Sequence, residues 1–424
     1  MHIVDTALEI QREPFAQPFG FKGSSFHEKW NLIVRLTDSD GREAFGVGGL
    51  AVLWSDPDIF AGHTEVGGNL LQAAILEHAL QLVKERSFAD PRKMFSELLP
   101  EVHEYGQSIT GSKDLNLTFS MIALVALDNA AWVLHARQRG ITTFDDLIPP
   151  HLQHYLNRRQ ATIATVPAVG YNMTGAQLTE LLERGAFLLK IKIGQPGSEE
   201  DMLQADMKRL SEIHALAERH ETEGTESGHV AYYLDANGRY KYRETMARLL
   251  EHAERNDMLS NIVLVEEPFQ EPDVVAVHGL PALFAADESL QTVEDVSVRA
   301  AQGYGAITIK PAGKTLSMSF DMIEAALHAN AVPFVADNAC VPVLVEWNKN
   351  VAARLPDFPG IRGGILESNG PENYGAWQRL LSEFPILDAP WLSPRDGRYV
   401  LGDEYYRESG GIFREPTSYT RLIR

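Results

Sequence analysis

The chain has 424 residues, 44% of them hydrophobic and 23% charged, and a formal net charge of −20 at pH 7. That length accommodates a large core and two domains, while the acidic balance argues against nucleic acid or an anionic membrane as partner, since either favours a basic patch. The one cysteine, Cys340, excludes an internal disulfide and a thiolate metal cluster, and it fits a reducing, cytoplasmic setting.

The opening "MHIVDTALEIQREPF" has no basic leader followed by an apolar run, so no secretory signal is expected. No apolar stretch is expected to approach bilayer-spanning length. Alternation in "HIVDTALEI" and "NLIVRLTDSDGREAFGVGG" predicts strands, with "SDG" turning a hairpin. Helical patterns follow in "LLQAAILEHALQLVKE" and "FSMIALVALDNAAWVLHARQ". Residues 1–150 are therefore predicted to form a small α+β unit.

From about residue 160 a repeat appears. Short apolar runs ("IATVPAVGYN", "FLLKIKIG", "VAYYLDANG", "IVLVEEPF", "ALFAADES", "AITIKPAG", "VPFVADNAC", "GGILESNG") alternate with helical segments such as "AQLTELLERG" and "RETMARLLEHAER". Eight βα units over 151–384 predict a (β/α)8-type barrel in preference to an open sheet, which usually has fewer strands. The tail, 385–424, is expected to leave the barrel and pack back on the first unit. The polar "ERHETEGTESGHV" reads as a solvated loop on the face away from the site.

In a barrel the chemistry gathers at the C-terminal ends of the strands. Those ends carry Lys190 and Lys192, Asp235, Glu266, Asp287, Lys310, Asp337 and Glu367 in turn. Lys190 and Lys192 share one face of their strand, so both ammonium groups point at the same place, where something negative is required. Asp235, Glu266 and Asp287 on successive strands supply hard oxygen ligands with no histidine or thiolate beside them, a set that selects Mg²⁺ or Mn²⁺ over zinc. Lys192 and Lys310, on the second and sixth strands, would approach a substrate from opposite sides. Like-charge repulsion from Lys190 is expected to depress its neighbour's pKa and make a general base.

With "KIK", "LDANG", "VEEP", "ADES", "IKPAG" and "ESNGP" in this order over nearly the whole chain, the sequence resembles the enolase superfamily, and more narrowly its muconate-lactonizing-enzyme-like subgroup. The resemblance implies a capping domain over a barrel, Mg²⁺ on Asp235, Glu266 and Asp287, and removal of the proton α to a carboxylate to give an enediolate. It implies Lys192 and Lys310 as base and acid, with Lys190 and Glu367 beside them. The expected activity is that of an isomerase (racemase, epimerase or cycloisomerase) on a small carboxylate, in a homo-oligomer. The mandelate-racemase branch uses an Asp–His dyad on strands six and seven, where this chain has Lys310 and no histidine at a strand end. Dipeptide epimerases often carry Asp-x-Asp on strand eight, which "LESNG" lacks, and this speaks against a dipeptide substrate.

Other readings of the same residues are a lyase or dehydratase acting on an acid sugar, a Schiff-base barrel using Lys310, and a silent binding protein on the same fold. Glu267 is expected to point away from the site as Glu266's sequence neighbour. Asn237 reads equally as a turn residue or as support for the metal ligands, and Asp337 as a lysine contact or a helix cap. Lys22, His27 and Trp54 are lid candidates, in the stretches 19–30 and 47–57. Cys340 reads as inert packing.

Overall fold

The computed structural model describes residues 1–21 and 24–423. Lys22 therefore lies outside the described residues. An antiparallel sheet of order β3–β2–β1–β4 organises the first unit, with β1 at His2–Phe21, β2 at Ser24–Asp38, β3 at Glu43–Gly49 and β4 at Arg86–Ser87. The β2–β3 hairpin turns at the predicted "SDG", where Gly41 has φ +79°. The β1–β2 pairing runs from Ile3 opposite Asp38 to Phe21 opposite Ser24. Much of the stretch expected as a loop at 19–30 is thus the tip of a long ribbon.

The second lid stretch forms α1 (Val52–Ser55) and α2 (Pro57–Gly62), the latter capped by Asp56, whose carboxylate accepts from the amides of Asp58 and Ile59. Three longer helices pack on the sheet: α3 (Glu65–Val83), α4 (Pro91–Thr110) and α5 (Leu117–Arg139). Close approach of α5 to β3 requires glycine. A Cβ on Gly46 would lie 2.1 Å from Ala126 O, and one on Gly48 would lie 2.6 Å from Ala126 N. With 23 residues and a mean hydropathy of 1.7, α5 is long and apolar enough to cross a membrane, which corrects the expectation that no such stretch exists. Its most apolar window is 94% buried within the protein.

The second sheet is the barrel. Its strands are β5 (Thr162–Thr165) with β6 (Ala168–Val169), β7 (Leu188–Lys192), β8 (Ala231–Asp235), β9 (Ile262–Glu266), β10 (Phe284–Ala286), β11 (Ala306–Ile309), β12 (Val332–Val335) and β13 (Gly364–Leu366). β5 and β6 are two halves of the first barrel strand, parted at Val166 and Pro167, where proline has no amide to donate. β5 pairs with β13 and β6 with β7, all parallel, so the ring closes. Its interior is filled by alternating small and large side chains, among them Ala164, Leu188, Ala231, Tyr233, Leu264, Ala285, Ala306 and Phe334.

Three details differ from the predicted pattern. The fourth unit has no helix: residues 267–283 join β9 to β10 as turns and extended chain, because Pro268, Pro272 and Pro281 interrupt helical hydrogen bonding. The "ERHETEGTESGHV" loop is not simply solvated. It closes the barrel floor, with Thr225 only 1% exposed and bridged to Ile361. The tail contributes β14 (Arg398–Val400), which adds antiparallel to β5. It meets the first unit where Ser409 Oγ accepts from the Phe144 amide.

Candidate active site

The strand register sets the floor of the site. Lys192 lies opposite Asp235 and Asp235 opposite Glu266, so these three side chains stand at one level on adjacent strands. Lys190 is one layer deeper, opposite Tyr233. Asp287 follows β10, two residues beyond Ala285, the partner of Glu266. Lys310 and Glu367 directly follow β11 and β13. Lys190, Lys192, Asp235, Asp287, Lys310, Asp337 and Glu367 line one chamber, while Glu266 is fully buried next to Lys190, and β7 and β11 are four strands apart in a ring of eight.

Lys190 is the hub. Its ammonium lies 3.0 Å from Asp235 Oδ2, 2.7 Å from Glu266 Oε2 and 3.0 Å from Glu367 Oε2, and 4.8 Å from the centre of the Tyr233 ring. Burial works against its charge, but Asp235, Glu266 and Glu367 hold its pKa well above the ordinary lysine value. For Lys190, three carboxylates thus outweigh burial and the neighbouring lysine. Asp235 also feels burial, and Lys190 and Lys192 nonetheless pull it well below the usual carboxylate range. Glu266 goes the other way: burial and the adjacent Asp235 push it well up. Tyr233 donates to Glu266 Oε2 at 2.6 Å.

At the rim, Lys192 donates to Asp235 Oδ2 (2.5 Å) and to Asn237 Oδ1 (2.9 Å), while Asn237 Nδ2 donates to Glu288 Oε1 (3.1 Å). Asn237 makes the expected turn, with φ +46°, and its amide donates to Asp235 Oδ1 at 3.1 Å. Across the mouth, Lys310 donates to Asp287 Oδ2 at 2.5 Å and lies 4.6 Å from the centre of the Trp54 ring. Burial disfavours its charge, and Asp287 more than restores it, so its pKa is raised. Asp287 is itself held far below the usual range by Lys310 and Lys314, against the effect of burial.

Several functional neighbours were not evident from patterning. Glu267 was expected to face away. It has φ +37°, which breaks strand alternation, and its carboxylate accepts from the Asp287 amide (2.7 Å) and from Ser289 Oγ (3.1 Å). Burial and then Glu288 raise it to about 7. Lys314, fully buried, donates to Asp287 O at 2.9 Å. Lys29, fully buried and supplied by the first unit, donates to Asn338 O at 2.5 Å, and burial lowers it to about 8. Among the described residues Asp337 makes no ion pair with Lys190, Lys192 or Lys310, and it caps no helix. It ties the ends of β12 and β13 together by accepting from the amides of Cys340 and Asn369. His27 is engaged by Glu65 rather than by the cavity. Cys340 is buried, as expected for packing.

The chamber between these groups has a volume of about 50 Å³ and is lined by three ammonium groups (Lys190, Lys192, Lys310) and five carboxylates (Asp235, Asp287, Glu288, Asp337, Glu367), with Trp54 and Phe19 from the first unit. Among the described residues no three carboxylate, imidazole or thiol groups are arranged to hold a metal ion, and the point on which Asp235, Glu266 and Glu367 converge is taken by the Lys190 ammonium. Two features of the donor set nevertheless fit a hard divalent cation. The lining carboxylates exceed the ammonium groups by two charges, and the buried Glu266 Oε1 has no hydrogen-bond partner.

No protein-family model and no curated protein matches the chain. Solved structures do. A dipeptide epimerase from Enterococcus faecalis V583, complexed with Mg and the dipeptide L-Leu-L-Tyr, superposes with a TM-score of 0.66 at 15% identity, covering 95% of this chain and 98% of its own. The L-Ala-D/L-Glu epimerase from Bacillus subtilis gives 0.62 at 18% identity over 88% and 92% of the two chains. The N-succinyl Arg/Lys racemase from Bacillus cereus ATCC 14579 gives 0.62 at 16% identity over 88% and 89%. The chain has the fold of these proteins: a (β/α)8-type barrel with an N-terminal α+β unit.

Proposed function

We propose that the chain is an isomerase of the enolase superfamily, of the muconate-lactonizing-enzyme-like type, which removes the proton α to a substrate carboxylate and returns a proton to the resulting enediolate. The observation that carries this reading is the pair of lysines, Lys192 and Lys310, on opposite strands of one ring, facing a chamber rich in carboxylates. Epimerase and racemase activities among the proteins of the same fold support it. Residues 1–150 would act as the cap, 151–384 as the catalytic barrel, and 385–424 as a tail.

Asp235, Glu266 and Asp287 would hold Mg²⁺, or Mn²⁺ in its place, as the Mg complex of the Enterococcus epimerase supports. When bound, that cation supplies positive charge beside the carboxylate oxygens, where negative charge gathers in the transition state. Lys192 takes or gives the α proton on one face and Lys310 does so on the other, since proton transfer needs a group within hydrogen-bond reach. Lys190 neutralises Asp235, Glu266 and Glu367 from beneath and fixes Glu367, which is oriented further by the Asp337 amide at 3.3 Å. Trp54 and Phe19 of the cap exclude water above.

The test is α-proton exchange with solvent. The protein with Mg²⁺ in D₂O is offered acid sugars, N-acyl amino acids and muconate-like lactones, and proton NMR should show deuterium entering the α position of at least one class. Absence of exchange from every class, with Mg²⁺ demonstrably bound, would refute the reading. Borohydride trapping of a ketone on Lys310 would replace it with Schiff-base chemistry.

A further inference from the structure

A second cavity of about 430 Å³ opens beside the chamber and shares Phe19, Lys192 and Asn237 with it. At about 50 Å³ against about 430 Å³ for its neighbour, the chamber has room only for the reacting end of a ligand. The remainder must extend into the larger cavity, whose size is that of an ordinary small-molecule site. The ends of the first three barrel strands form its floor, and the β1–β2 ribbon, at Pro18, Phe19, Gly20 and Ser24, forms its roof.

Arg239 lines this cavity and is exposed; its amide donates to Ala236 O, and its guanidinium makes no hydrogen bond or ion pair with any described residue. The backbone is shaped around its stem: Gly194 has φ +84°, and a Cβ there would lie 2.5 Å from Arg239 Cβ. Tyr171 stiffens the same wall by donating to the carbonyls of Ile193 (2.8 Å) and Gly194 (3.1 Å). The carboxylates of this quarter have other partners. Asp206 accepts from the Gly194 amide and from Tyr240, and Asp235 is held by Lys190 and Lys192. Glu372 also lines the cavity, where it accepts from the Ala168 amide. An unneutralised guanidinium in a largely apolar cavity is a built receptor for a planar anion, which it can engage through two parallel hydrogen bonds.

We propose that Arg239 binds a second carboxylate carried by the substrate, which is therefore a dianion: its reacting carboxylate enters the chamber and its tail ends in another at Arg239. This rests on reading the chamber as the place of α-proton removal. A tail ending in an ammonium group would meet repulsion there, and one ending in an amide would forgo the charge-assisted bonds.

The probes are linear dicarboxylates of four to eight carbons and their monoamides, titrated calorimetrically into the Mg²⁺-loaded protein, with α-proton exchange in D₂O measured on the same compounds. The wild type should bind at least one diacid about tenfold or more tighter than its monoamide. Arg239→Gln should erase that preference, and Arg239→Lys should restore part of it. Equal binding of diacid and monoamide, a preference that survives Arg239→Gln, or no binding of any diacid would each overturn the proposal. The two readings fail separately. Diacid preference without exchange from any compound would sink the α-proton chemistry and leave Arg239's role standing, and exchange without diacid preference would do the reverse.

Discussion

Trp54 of the first unit stands over Lys310 of the barrel, its ring centre 4.6 Å from the ammonium that Asp287 holds at 2.5 Å. The proposed acid–base group is thus fixed between a carboxylate and a π face, one from each structural unit. Trp54→Leu removes the π face and should lower kcat/KM by roughly 5- to 30-fold, the equivalent of about 1–2 kcal/mol. Trp54→Phe, which keeps a ring, should lose less. Equal losses in both would show that the indole acts by shape alone.

Lys190 binds together three buried carboxylates. Replacing it with methionine keeps much of its volume but leaves those charges uncompensated, so unfolding in urea without added metal should show a loss of about 3–5 kcal/mol. A loss under 1 kcal/mol would mean that the carboxylates find other neutralisation.

The interface between the first unit and the barrel carries a pH dependence of its own. Asp128 on α5 is fully buried, accepts from Ser317 N (3.1 Å) and from Ser317 Oγ, and burial raises its pKa to about 7. A carboxyl raised above its unfolded value binds more protons in the folded state, so stability falls as pH rises from about 4 to 7 and is level above that. Asp128→Asn keeps the shape and removes the titration. Relative to wild type it should flatten that slope and gain on the order of a few kcal/mol at pH 8, readable as a higher Tm. Parallel pH profiles for the two proteins would exclude Asp128 as the source.

The strand-end charges were legible because two simple rules place them: side chains alternate along a strand, and barrel chemistry gathers at the C-terminal ends. Those rules bring Lys190, Lys192, Asp235, Glu266, Asp287, Lys310 and Glu367 to one mouth without any knowledge of packing. They fail at Glu267, where a left-handed backbone turns the next side chain back toward the Asp287 loop. Lys314 was hidden because the short helix Pro311–Lys314 follows Lys310 directly, and patterning gives no face to a single turn. Lys29 comes from the other unit, and nothing local in the sequence encodes where that unit docks, whereas Trp54 of the same unit is a lid candidate in the sequence and does line the chamber. The absent fourth helix was legible in its three prolines, and the regularity of the other repeats masked it.

Metal binding tests the carboxylate set directly. Calorimetry of the metal-free protein should show one Mg²⁺ site, and Asp287→Asn or Glu266→Gln should weaken it by about tenfold or more, as removal of one hard anionic ligand implies. Undiminished binding by Asp287→Asn would take that residue out of the metal shell.

The central claim is that two lysines on opposite strands serve opposite faces of one α carbon. It is tested most directly by following α-proton exchange in D₂O from each enantiomer of a substrate separately, in Lys192→Ala and in Lys310→Ala. A lysine across the barrel cannot reach round the substrate, so each variant should lose exchange from one enantiomer and keep exchange from the other, with the two variants complementary. Loss of exchange from both enantiomers in both variants would contradict the two-face account and assign one lysine to holding the enediolate. Unchanged exchange in both variants would remove the lysines from the chemistry altogether.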